Sequence, residues 1–146
     1  MLLNNKEVKS ELPENYEELK KAASRTSSWR DRFDAIDELG KWKSKQTIDI
    51  LKSRMMNDPV YKIQKNAFHK LQAFGEDVQL PPKKKGELVK DATKIFKRVK
   101  KSLPEGHSYE EFAEKLKKMR LDVYDAYEGE KGNEFENWLK KAWLSV

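Results

Sequence analysis

The sequence predicts an all-α protein built from stacked helix pairs, with about seven helices. Three observations carry this. Apolar residues recur at steps of three and four through most of the 146-residue chain, the spacing that lines one face of an α-helix. No period-2 run and no Asn-Gly or Asp-Gly hairpin signal interrupts them. Finally, the stretch "SSWRDRFDAIDELG", which starts at Ser27, returns in related form as "DPVYKIQKNAFHKLQAFG", which starts at Asp58.

Each element has its own signals. Pro13 is a favoured first helical residue, and Tyr16, Leu19 and Ala23 follow at helical spacing. Ser27 or Ser28 is placed to cap a second helix with the stripe Trp29, Phe33, Ile36 and Leu39, ending at Gly40. A third helix is expected over 45–56, with Ile48, Leu51 and Met55 on one face. Asp58 is expected as the N-cap of the fourth, with Pro59 first inside it, then Val60, Ile63, Ala67, Leu71 and Phe74, and Gly75 as the stop. "EDVQLPPKKKG" carries two prolines and breaks the pattern.

A fifth helix is expected over 87–102, its apolar stripe being Leu88, Ala92, Ile95, Val99 and Leu103, with Phe96 alongside. Pro104 and Gly106 end it. "SYEE" at Ser108–Glu111 has the form of a capping box. One helix is then expected to carry Phe112, Leu116, Met119 and Val123 on to Tyr127. "EGEKGN" reads as a turn, and Asn133 with Glu136 as the cap of a last helix bearing Trp138, Leu139, Ala142, Trp143 and Val146.

The two related stretches align at an offset of 32 residues, placing Trp29 on Tyr61, Arg30 on Lys62, Ala35 on Ala67, Ile36 on Phe68 and Leu39 on Leu71. A small Ala lets a neighbouring helix approach, while the bulky residues close the layer on either side. Periods of this size mark stacked helix pairs. Here 45–57 reads as the second helix of the first pair. Through "WRDRFDAIDELG", "TIDILKSRMMNDP" and "YKIQKNAFHKLQAFG" the chain resembles the HEAT-type α-solenoid family in its short bacterial form. It departs from that pattern where Asp31-Arg32 and Ile63-Gln64 stand in place of Val-Arg, and no further copy follows Pro104. The resemblance implies a right-handed α-solenoid in a single domain. That domain would comprise an N-terminal helix over 12–26, HEAT-like helix pairs over 27–103 and a helical cap over 104–146.

Composition narrows the function classes. The chain is 38% charged and 37% hydrophobic, yet holds four Trp, five Tyr and six Phe, too many large rings for a disordered segment. It has no cysteine, so disulfides and thiolate chemistry are excluded, which fits a cytoplasmic setting. No apolar run reaches the roughly 20 residues of a membrane span, and the N-terminal stretch lacks the apolar core of a signal peptide.

The net charge is +6, and it is concentrated. Nine Lys/Arg against two acids fall within 83–101, while ten acids against five bases fall within 105–136. Lys83, Lys84, Lys85, Lys90, Lys94, Lys97 and Lys101 are therefore candidate contacts to a macromolecule. Trp42, in the loop "KWKSK", is expected to be exposed and joins them. The plainer expectation for the same lysines is a solvated helix face neutralised by Glu110, Glu111 and Glu114.

No residue pattern announces a chemistry. His69 and His107 have no metal-ligand partner at i+4, the six glycines build no phosphate loop, and the carboxylates fall on solvated helix faces. No catalytic residue, cofactor or metal is expected. The expected function is a monomeric, non-catalytic protein–protein interaction or scaffold module. The alternative is DNA or RNA binding through the basic segment 83–101. A third resemblance, to HEAT-like DNA glycosylases, implies a Trp and an Asp on a concave surface, and no residue of this chain can be matched to that pair.

Overall fold

The computed structural model describes residues 9–146. Among them are eight α-helices, one 3-10 turn and no strand. The all-α class is observed, and eight helices fit the expected count of about seven. The eighth helix arises because the stretch read as one helix over 109–127 is two.

The described residues form two compact units, one up to Lys83 and one from Lys84 to Val146. The boundary falls before the basic helix, so that helix lies in the second unit. The sequence had placed it with the repeats, because its apolar stripe continues theirs in spacing.

The first unit holds α1 (Tyr16–Ala23), α2 (Trp29–Leu39), α3 (Lys45–Asn57) and α4 (Tyr61–Ala73). Pro13 lies one turn ahead of α1 and accepts a bond from the Tyr16 N–H through its carbonyl. Ser28 caps α2, its hydroxyl accepting from the Asp31 N–H at 3.2 Å. Ser44 and Thr47 form a reciprocal capping box at the start of α3. At Gly75 the backbone takes φ +85°, which ends the α4 segment where glycine alone is comfortable.

α2 packs on α1 and on α4, and α3 packs chiefly on α4. The hairpins are therefore α1/α2 and α3/α4, with the two repeat copies, α2 and α4, side by side. This corrects the expectation that α3 completes a pair with α2. The alignment could not reveal it, because it fixes which helices correspond but not which ones touch. Ala35, Ile36, Leu39, Leu51, Val60, Ile63, Ala67 and Leu71 are at most 2% exposed and form the core. Burying one such aliphatic side chain is worth ~1.5–3 kcal/mol, against ~0–1 for an exposed ion pair. Apolar burial, more than surface pairs such as Lys45–Asp49, therefore sets this packing.

The second unit holds α5 (Ala92–Lys101), α6 (Tyr109–Met119), α7 (Leu121–Lys131), a 3-10 turn (Gly132–Glu134) and α8 (Phe135–Ser145). α5 starts five residues later than expected. Asp91 sits at φ 63°, left-handed backbone that a short polar residue tolerates but a helix does not. The expected turn "EGEKGN" shrinks to the 3-10 turn, since Glu128 to Lys131 remain helical. Asn133 and Glu136 do not cap α8, which runs directly out of that turn without a side-chain cap. Ile95, Phe96, Val99, Phe112, Leu116, Val123, Tyr127 and Leu139 form this unit's core.

The core of the second unit is unusually aromatic. Tyr127 and Trp138 stack with centroids 4.4 Å apart, and Phe96 meets Phe112, Tyr127 and Trp138 at 6.0–6.3 Å. Trp143 donates its indole N–H to His107 Nε2 at 2.9 Å. An indole can only donate, so the ring proton of His107 resides on Nδ1, where it is given to the Pro104 carbonyl. His107 is thus a structural bridge from the α5–α6 connection to α8.

Candidate basic binding face

α5 builds the candidate site. At about 100° per residue, Ala92, Ile95, Phe96 and Val99 fall on one arc, and all four are buried. Lys94, Lys97, Arg98 and Lys101 fall on the opposite arc, and all four are exposed. The arc spans about 100° of the helix surface and about 10 Å of its length. Burial of the apolar arc in the unit's core is what points the basic arc outward.

The segment before α5 adds to this charge. Lys84, Lys85 and Lys90 are exposed on it, and Lys84 Nζ reaches the Leu88 carbonyl at 3.5 Å. The backbone here is pinned at two points. Tyr127 Oη accepts from the Leu88 N–H at 3.0 Å, and the Glu87 carboxylate accepts from the Thr93 N–H at 2.7 Å and from the Thr93 hydroxyl. The bonds from Thr93, reinforced by Lys94, hold the Glu87 carboxyl below the usual carboxylate range. Glu87 therefore stays ionised as the substitute N-terminal cap of α5.

Among the described residues, Lys90, Lys94, Lys97, Arg98 and Lys101 form no ion pair within 4.0 Å. The expected neutralisation by Glu110, Glu111 and Glu114 is not observed. Glu111 is engaged locally, accepting from the Ser108 N–H at 3.0 Å in the α6 capping box. The ion pair at the α6–α7 junction is Arg120–Asp122 at 2.9 Å. Hydrogen bonds from Arg120 hold the Asp122 carboxyl below its usual range, and the same bonds raise Arg120.

One basic residue of α5 does not belong to the face. Lys100 Nζ donates to the carbonyls of Trp143 and Val146, each at 2.7 Å, and lies 5.6 Å from the centre of the Trp143 ring. It ties α8 to α5. The sequence could not separate Lys100 from its neighbours, because the carbonyls it meets lie 43 and 46 residues away. Arg98, conversely, joins the face although the lysine spacing alone did not select it.

The other two candidates, Lys83 and Trp42, lie in the first unit. Trp42 is half-buried, not exposed as expected. Backbone bonds link Lys9 to Lys41 and Lys43 on either side of it, and the Lys9 ammonium lies 5.0 Å from its ring centre. Its carbonyl accepts from the Thr47 hydroxyl, which fixes the loop onto α3.

Two clefts lie in the first unit. One, of about 620 Å³, runs between α1 and α2 and is lined by Glu18, Arg25, Asp34 and Glu38 among others. The second, of about 580 Å³, lies between the end of α3 and residues 78–82, with Met56, Val78, Leu80 and Pro82 on its walls. Neither of these two clefts is lined by an aromatic ring. Among the described residues no cluster of three or more His, Asp or Glu is arranged to hold a metal ion. No helix among them is long and apolar enough to cross a membrane.

No protein-family model, no curated protein and no solved structure matches this chain.

Proposed function

We propose that this chain is a small non-catalytic helical module that binds another macromolecule, and that the outward arc of α5 is its binding face. The observation that carries this is the exposed set Lys94, Lys97, Arg98 and Lys101, which has no ion-pair partner in a unit rich in acids. Charges placed this way leave a positive potential that an anionic partner can neutralise.

The HEAT-type solenoid belongs to the same proposal, as the scaffold of the first unit. It is supported by the 32-residue offset between α2 and α4, by their side-by-side packing, and by the small Ala35 and Ala67 buried in that unit's core. Cysteine-free composition agrees with a cytoplasmic setting, and we take the module to act as a monomer.

The test is retention on an immobilised polyanion. Lys94, Lys97, Arg98 and Lys101 are all changed to Gln, and a control variant carries Gln at Lys20, Lys43, Lys118 and Lys141, which are also exposed. Both variants lose the same charge. The α5 variant is expected to elute at clearly lower salt than the control, and equal elution would reject α5 as the face.

A further inference from the structure

We infer that the partner of the α5 face is the phosphate backbone of a nucleic-acid duplex, bound without regard to sequence. This rests on the proposal that α5 is the binding face, and goes beyond it by naming the ligand.

The argument starts from what the arc lacks. Protein–protein interfaces are depleted in Lys and depend on a few apolar or aromatic anchors sunk into pockets. No exposed large hydrophobic residue lies between 83 and 101; those of the described residues are Leu12, Met56, Met119, Leu121 and Leu144. Every apolar side chain of α5 is turned into the core. An acidic protein would find charge here but no anchor. An anionic membrane meets the same deficit, since interfacial helices insert an apolar face and that of α5 is occupied.

Phosphate needs no such anchor. Interfaces with duplex nucleic acid are more polar and far more positive than those between proteins, and backbone contacts supply most of the sequence-independent affinity. A duplex carries one charge per about 1.7 Å of axis with both strands counted, so a length matching the ~10 Å arc of α5 holds about three phosphates on each strand, against the four cations of the arc. Lys84, Lys85 and Lys90 can raise the number of contacts to about seven.

A duplex is favoured over a single strand for a separate reason. Sequence-blind single-strand binders stack bases on exposed rings. The one aromatic residue of α5, Phe96, is 4% exposed and packed against Phe112, Tyr127 and Trp138. With no ring to stack on and no Asn or Gln amide on the arc, and with Arg98 its one guanidinium able to read a guanine edge, the contacts fall mostly on the backbone. Phosphate contacts position a protein but carry no sequence information.

The test is anisotropy of the full chain with a labelled DNA duplex, at salt from about 50 to 200 mM. Four contacts predict a log–log slope near −3.6 and an affinity loss of about 10²-fold across that range. Two unrelated duplex sequences should bind within about 2-fold of each other, because the contacts are mostly to phosphate. The α5 Gln variant, checked for helicity by circular dichroism, should lose most of the slope while the control variant keeps it.

Poly-glutamate, single-stranded DNA and anionic vesicles serve as competitors. Competition by any of them as effective as that of unlabelled duplex overturns the duplex assignment but leaves α5 as the binding face. Duplex binding that the α5 variant retains in full overturns both. Absence of duplex binding at low salt overturns the inference, and the polyanion column then judges the face by itself.

Discussion

Arg32 of α2 and Asp58, just after α3, form a buried ion pair 26 residues apart in sequence, with Arg32 Nε donating to Asp58 Oδ2 at 2.8 Å. Their side chains are 2% and 0% exposed. Arg32 also donates to the Arg25 carbonyl at 2.7 Å, and Asp58 accepts from Arg54 and from the Val60 N–H. The pair fastens α2 of the first hairpin to the α3–α4 turn within the second. Asp58 was expected as a helix N-cap. It instead bonds the Val60 N–H two residues on, and α4 begins at Tyr61.

Breaking a buried pair strands the remaining charge, at a cost of ~3–5 kcal/mol. The two partners should not be equivalent. Arg32→Met leaves Asp58 with Arg54 and the Val60 N–H, so it is expected near the low end of that range. Asp58→Ala takes the buried carboxylate from the Arg32 guanidinium, which keeps the Arg25 carbonyl, and leaves the Val60 N–H without its acceptor, and is expected to cost more. Urea unfolding of both variants checks the order; Arg32→Met proving the more damaging would contradict this account of the turn.

The second prediction concerns Ser108. Its hydroxyl accepts from the Glu111 N–H at 3.2 Å, while Glu111 returns a bond to the Ser108 N–H at 3.0 Å. Ser108→Ala should destabilise the protein by ~1 kcal/mol and Ser108→Gly by only a few tenths. The Ala–Gly difference, read from thermal melts, separates a capping role from a packing one.

What was legible in the sequence were features whose causes are local. Ser28, Ser108 and Gly75 mark element ends because a cap or a stop is decided within a few residues. The buried stripe of α4 is the stripe read from its spacing. The break between α6 and α7 had no such mark. Arg120 leaves helical backbone at φ −142° with neither Gly nor Pro beside it, held by a two-bond fork to Asp122. The Arg32–Asp58 pair and the Lys100 clamp were equally hidden, since a charged residue in an amphipathic pattern looks solvated until its distant partner is placed. The basic face was half legible. Composition located its charge, but only the burial of Ile95, Phe96 and Val99 showed which cations point outward.

The third prediction separates binding from folding on α5. Gln at Lys94, Lys97, Arg98 and Lys101 removes two favourable cations, Arg98 and Lys101, from the last turn of the helix, worth ~0.3–1 kcal/mol each at most. It also relieves the like-charge pairs Lys94–Arg98 and Lys97–Lys101 at i,i+4, which oppose that loss. The net change in stability is expected within ~1 kcal/mol. Lys100→Met, by contrast, should destabilise more than the fourfold variant, because it leaves the Trp143 carbonyl of α8 and the Val146 carbonyl just after it without their donor. Denaturant curves of the two proteins decide the order.

The fourth prediction is a loss of stability in alkali. Burial, reinforced by the nearby Glu136 carboxylate, pushes the Tyr109 hydroxyl from 10.0 up to about 12. The hydroxyl also donates to the Glu136 carbonyl at 3.4 Å, which only its neutral form can do. Burial raises Tyr124 and Tyr127 as well. A raised acid favours the protonated folded state. Between pH 10 and 12 the unfolded chain has given up the proton that folded Tyr109 keeps, so stability falls as pH rises through that window. Below pH 10 the contribution is complete and constant. A tenfold change in proton affinity is worth ~1.4 kcal/mol, so the Tyr109 share is at most ~3 kcal/mol, and screening by nearby solvent lowers it. Phenolate absorbance should show Tyr109, Tyr124 and Tyr127 titrating late in the native protein and normally in urea. In Tyr109→Phe the decline of stability above pH 10 should be shallower, and a decline as steep as that of the wild type would remove Tyr109 as its source.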